Sequence, residues 1–154
     1  MTKKSALPVD IQANRHADIA VQKISAPIDF AHTIGADYNP KNGNVTGGHS
    51  TVSGDVQVVA ITKQPDANGV YEARVQMQDP QGNWIDKKSN QGVNTMFPTS
   101  WTENRIKVEI DGAWNSPSKV ISGNYWSATS PSGIEIGGYL KPRTTAFPVY
   151  GGGK

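Results

Sequence analysis

The chain has no cysteine among its 154 residues. That absence excludes a disulfide framework, a thiolate zinc site, a thiol nucleophile and an iron–sulfur cluster. Long apolar runs are missing as well. No stretch approaches the about 18 residues a membrane-crossing helix needs, so no membrane-spanning segment is expected. The basic opening MTKK leads into no apolar segment, so no signal peptide is expected either. Charge of one sign is scarce: 15 Lys and Arg stand against 13 Asp and Glu, a balance without the broad positive field of a strong DNA binder. Also lacking are H-E-x-x-H, G-x-S-x-G, a P-loop and G-x-G-x-x-G. No metal-protease, serine-hydrolase or nucleotide-cradling motif is therefore present.

Turn-forming residues are abundant. The 16 glycines and 10 prolines exclude a helical bundle or coiled coil and predict many short elements within one domain. Residues 18–24 read as a short N-terminal helix, ended before Pro27 because the residue preceding a proline avoids helix. Residues 37–54, DYNPKNGNVTGGHSTVSG, read as a long polar loop. Beyond Asp55, alternating Val56, Val58 and Ile61, the turn PDANG, then Val70, Ala73, Val75 and Met77, the turn DPQGN, and finally Trp84 and Ile85 predict an antiparallel meander. Thr102 is a candidate N-cap with Glu103 in the first turn. Ile106, Ile110 and Trp114 follow at i, i+4 and i+8, predicting an amphipathic helix that ends near Trp114. Short strands are expected over 125–128, 133–139 and 144–149. This order predicts an α+β domain with an antiparallel sheet and an N-terminal helical segment.

The residues able to carry chemistry are few. His16, His32 and His49 are the only histidines. Two of them, His32 and His49, lie beside and in the polar stretch, and the glycines of Gly47-Gly48-His49 allow close backbone approach. Their spacing and the lack of clustered carboxylates do not fit a metal site, so no metal and no cofactor are expected. Two histidines with a lysine suit metal-free RNA cleavage. One imidazole takes the ribose 2′-OH proton, the other protonates the leaving 5′-oxygen, and a cation offsets charge on the phosphate.

The run Gly47-Gly48-His49, the segment TMFPTSW at 95–101 and the segment TTAFP at 144–148 together resemble the bacterial EndoU endoribonucleases, over roughly residues 28–150. These occur as C-terminal toxin domains of contact-dependent inhibition and related polymorphic toxin systems. The resemblance implies a compact antiparallel-sheet ribonuclease fold of the barnase, EndoU, colicin and RelE-like type. It implies RNA cleavage by 2′-OH attack, leaving a 2′,3′-cyclic phosphate, with tRNA anticodon loops as one target class. His32 matches the first family histidine, the general acid, and His49 the second, the general base. The family lysine falls at Lys87 or Lys88, with Lys87 favoured by its spacing from Trp84. Thr145 matches the threonine of the last motif. Phe147 stands where the family has tyrosine, a departure; it stacks on a base without offering a hydroxyl, unless Tyr150 or Tyr139 supplies one. Asn94 occupies a position where some members carry lysine. The resemblance further implies an RNA substrate, a cognate immunity protein, a monomeric toxin, and secretion as part of a larger effector delivered to the target-cell cytoplasm. Residues 1–27 then read as a linker or the end of an entry region, and 28–154 as the nuclease domain. The departure at Phe147 keeps open a non-enzymatic RNA- or protein-binding module on the same scaffold.

Overall fold

A computed structural model describes residues 24–152. A one-turn helix α1 (Phe30–Ile34) leads into a hairpin of β1 (Ala36–Asn39) and β2 (Asn44–Gly47). Next come β3 (Val56–Lys63), β4 (Tyr71–Gln78), β5 (Trp84–Asp86), a tight turn (Ser89–Gly92) and β6 (Val93–Met96). Helix α2 (Glu103–Trp114) precedes β7 (Val120–Ser122), β8 (Tyr125–Thr129), β9 (Glu135–Tyr139) and β10 (Phe147–Pro148). The class is α+β, as expected, and every strand pairing is antiparallel.

Local chemistry explains most elements. In the turn before β4, Asp66 Oδ1 accepts from the amides of Asn68 and Val70, and Gly69 takes a φ of 89° that suits glycine. Asp79 repeats the device before β5, accepting from Gln81 and Asn83 amides. Thr102 caps α2 by accepting from the Arg105 amide at 3.1 Å. In β4 the alternation is regular: Tyr71, Ala73, Val75 and Met77 are buried while their neighbours are not. Strand β4 is the spine of its sheet. It pairs with β3 on one side and with β5 and then β6 along the other.

Two apolar clusters form. One lies between α2 and the β7–β10 sheet, centred on Ile106, Ile110, Trp126 and Ile136, and it extends to Ile34 and Phe97. The other fills the space under β3–β6 with Val56, Val75, Met77 and Met96, and reaches Val45 of the hairpin. Each of these side chains contributes about 1.5–3 kcal/mol by burial.

The structure departs from the sequence reading in several places. The expected loop 37–54 contains the β1–β2 hairpin, because paired backbone groups, not apolar alternation, hold two polar four-residue arms together. Helix α1, β6 and β7 were not expected from local pattern. The last expected strand, 144–149, is reduced to two residues. The N-terminal helix expected over 18–24 falls almost wholly outside the described residues.

Candidate active site

Helix α1 and the glycine-rich segment after β2 bring two distant histidines together. The Gly48 amide donates to His32 O at 3.1 Å, and the His49 amide donates to Thr33 O at 2.8 Å. Glycine is required at both preceding positions. Gly47 and Gly48 adopt φ of 77° and 70°, and a Cβ would lie 1.9 Å from His32 O at Gly47 and 2.8 Å from Met77 Sδ at Gly48. Buried Asn94 closes the turn by donating from Nδ2 to Gly47 O at 2.6 Å and Gly48 O at 3.0 Å.

His32, His49, Lys87, Thr145, Phe147 and Tyr139 all line one open cleft of about 420 Å³. Six of the eight side chains singled out in the sequence therefore meet in space. Lys88 is exposed on the neighbouring surface and does not line the cleft. Tyr150 is also absent from the lining; its hydroxyl donates to Gln64 O at 2.8 Å. It therefore supplies no hydroxyl to the cleft, whereas Tyr139, half-exposed at the rim, stands beside Phe147 with ring centroids 6.1 Å apart.

The two imidazoles are held differently. His49 Nδ1 lies 2.7 Å from Thr95 O. A carbonyl accepts only, so Nδ1 carries the proton and Nε2 of the neutral ring keeps its lone pair. The ring keeps some access to the cleft, but the protein around it strips water from the charged form. Burial pushes its pKa down from 6.5 to about 4; the Thr95 hydrogen bond opposes this, and positive charge on His32 and Lys87 adds to it. His49 is thus a neutral acceptor at pH 7. His32 Nδ1 instead meets Asp37 Oδ2 at 2.8 Å. That carboxylate also receives Arg143 Nη1 at 2.9 Å, and the same nitrogen reaches Asp29 Oδ2 at 3.3 Å. Asp29 Oδ1 in turn accepts from the His32 amide at 3.1 Å. His32 is thus fixed from behind through Nδ1, which leaves Nε2 as its ring nitrogen without a protein partner among the described residues.

Lys87 Nζ donates to Ser89 O at 3.0 Å and Val93 O at 3.2 Å. An ammonium has three N–H groups, so one remains for the cleft. Burial pushes the Lys87 pKa down. The turn it clamps is strained: Asn90 and Gln91 hold φ of 52° and 56° without being glycine. Thr145 Oγ1 accepts from the Tyr139 amide at 3.0 Å, leaving its hydroxyl hydrogen free to donate. Phe147 packs 5.7 Å from the His49 ring.

The acid-free C-terminal stretch leads to the expectation that Lys141 or Arg143 borders the histidines, and Arg143 does; Asp37 and the architectural role of Asn94 were not foreseen. No spacing marks Asp37, because its contact with His32 depends on the backbone reversing direction between α1 and β1. Among the described residues no three His, Asp or Glu side chains gather in a metal-holding group.

Comparison with known proteins identifies the family. A protein named Toxin from Bacillus cereus is 27% identical over 129 residues, covering 80% of this chain and 22% of that protein. The chain thus spans about a fifth of the length of this curated relative. No solved structure matches the chain. Residues 28–150 match the family described as bacterial EndoU nuclease, which takes in both histidines, Lys87 and the cleft-lining strands, and the chain belongs to that family.

Proposed function

We propose that this domain is a metal-independent endoribonuclease toxin that cleaves RNA by attack of a ribose 2′-oxygen on the adjacent phosphorus. Nε2 of His49 takes the 2′-OH proton. The 2′-O–P bond forms as the P–O5′ bond breaks, and Nε2–H of His32 protonates the departing 5′-oxygen. Lys87 and the Thr145 hydroxyl offset charge gathering on the non-bridging oxygens. The products are a 2′,3′-cyclic phosphate and a 5′-hydroxyl. The observation that carries this reading is the contrast within one cleft. One imidazole is neutral with its Nδ1 proton given to a carbonyl; the other is backed by a carboxylate. That is the division of labour a base and an acid require.

The family and the relative's name support a wider reading. The substrate is RNA, with tRNA the favoured class. The fold is of the compact ribonuclease type shared with barnase-like, colicin-type and RelE-like toxins. Residues 28–154 form the nuclease domain of a larger secreted effector, delivered to the cytoplasm of a competing bacterium, and the producing cell carries an immunity protein. The protein incubated with total RNA in EDTA should yield discrete fragments ending in 2′,3′-cyclic phosphate. Intact RNA, or fragments with free 3′-hydroxyls, would overturn the mechanism.

A further inference from the structure

A hollow of about 190 Å³ lined by Asp37 and Arg143 shares His32 with the cleft. A second hollow of about 370 Å³ shares Asp37 and Arg143 and runs along the β1–β2 hairpin, lined by Tyr38, Asn39, Asn42, Asn44 and Thr46. Its polar groups are biased. Asn39 Oδ1 accepts from the Lys41 amide and Asn42 Oδ1 from the Asn44 amide, both at 2.9 Å. The acceptor ends are thus occupied within the hairpin, and the amide nitrogens have no protein partner among the described residues. Arg143 uses Nη1 on the two aspartates and retains its other donors. Lys41, exposed at the hairpin tip, forms no ion pair among the described residues. Both carboxylates in this region, Asp29 and Asp37, meet Arg143, and Asp37 also meets His32 Nδ1. The side-chain amide nitrogens of Asn39 and Asn42 and the remaining N–H groups of Arg143 add donors to this mixed polar groove, and a ligand rich in acceptors matches them. A phosphodiester chain is such a ligand; a peptide backbone, which carries equal numbers of both, is not.

From this we infer that the hairpin groove binds the RNA on the 3′ side of the scissile phosphate, and that the cleft reads the 5′ side. The polarity rests on the acid and base assignment proposed above. The 2′-OH belongs to the nucleotide 5′ of the broken bond, and its base, His49, lies against Phe147. The leaving 5′-oxygen belongs to the next nucleotide, and its acid, His32, stands at the entrance to the groove. The strand arms are about 13 Å long, room for about two extended nucleotides.

The experiment uses fluorescent deoxyadenosine oligonucleotides with a single ribonucleotide, each of the four bases in turn, so that cleavage has one position. The flanks are lengthened separately on the 5′ and 3′ sides. Lengthening the 3′ flank by two nucleotides should raise kcat/KM by about tenfold, the scale of one or two added hydrogen bonds, and the 5′ flank should give much less. Asn42→Ala and Lys41→Ala should each shrink the 3′ advantage by about threefold or more and leave the 5′ dependence as it was. Equal gains from both flanks, or an undiminished 3′ advantage in both variants, would overturn the groove assignment while the cleavage chemistry stands. Absence of cleavage in every oligonucleotide and in total RNA would instead remove the nuclease reading on which the polarity rests.

Discussion

At the residue scale, what each imidazole's Nδ1 touches decides what its Nε2 can offer the cleft. Thr95 O fixes the His49 tautomer and Asp37 holds His32. Replacing either histidine with alanine should lower single-turnover cleavage by roughly 10²–10⁴, with circular dichroism unchanged. Sequence alone predicts a bell-shaped profile with both limbs near ordinary histidine values. The structure moves the acidic limb, because burial holds His49 near a pKa of about 4; kcat/KM should stay level through mildly acidic pH and fall only as His49 protonates. Asp37→Asn leaves a neutral partner behind His32. It should lower single-turnover cleavage with the melting temperature nearly unchanged, whereas a purely structural role would lower both. Tyr150→Phe removes a hydrogen bond remote from the cleft and should cost about 1 kcal/mol of stability or less, with cleavage retained.

At the element scale, the segment joining β2 to β3 matters more than its polarity implies. It is anchored by three backbone bonds, from Gly48 to His32, from His49 to Thr33 and from Phe97 to His49, and by the two carbonyl contacts of Asn94. Gly48→Ala would force a Cβ against Met77 at a left-handed backbone position. A loss of about 2 kcal/mol or more is expected, read as a lower denaturation midpoint with reduced activity. Asn94→Ala should cost on the order of 1–3 kcal/mol by leaving two carbonyls unmet. By contrast Thr102→Ala weakens only the start of α2, by about 1 kcal/mol, far from the histidines, and kcat should follow wild type below the melting transition.

At the scale of the whole molecule, the cleft sits where two independently packed cores meet. His49, Lys87 and Thr95 come from the hairpin and β3–β6 side; His32 comes from α1, whose Ile34 packs into the α2 core, and Tyr139, Thr145 and Phe147 come from the sheet side of that core. Trp126 links the second core to the site, since its Nε1 donates to Thr145 O at 2.8 Å. Trp126→Ala should cost about 3–5 kcal/mol and loosen Thr145. Stability is also linked to pH through His49. Its pKa is lower folded than unfolded, so its contribution is fully present above pH 6.5 and is lost as pH falls toward about 4. Urea melts across that interval should show acid destabilisation of roughly 3 kcal/mol that is absent in His49→Gln. An immunity protein that covers the cleft of a mildly basic nuclease should be acidic. Neutralising its cleft-facing acids should abolish inhibition, and inhibition that leaves both histidines accessible would exclude simple occlusion.

The sequence by itself determined the elements whose causes are local. Thr102 with its i, i+4 apolar line specifies α2, the Asp66 and Asp79 turns specify the meander, and alternation specifies β4, because capping, turn chemistry and side-chain period act within a few residues. It also pointed to the reacting groups, through the motif set shared with a family and the chemistry two histidines and a lysine can perform. Only the tertiary structure placed Lys87 in the cleft and Lys88 outside it, removed Tyr150 from the cleft and kept Tyr139 in it. It alone revealed the hairpin inside the polar stretch, the Asp37–Arg143 support behind His32 and the tautomer of His49. Those outcomes depend on contacts between residues distant in sequence, such as His49 with Thr95 and Arg143 with Asp29 and Asp37. Such contacts leave no periodic or local signature, and the direction a polar side chain takes is set by the partner that folding brings to it.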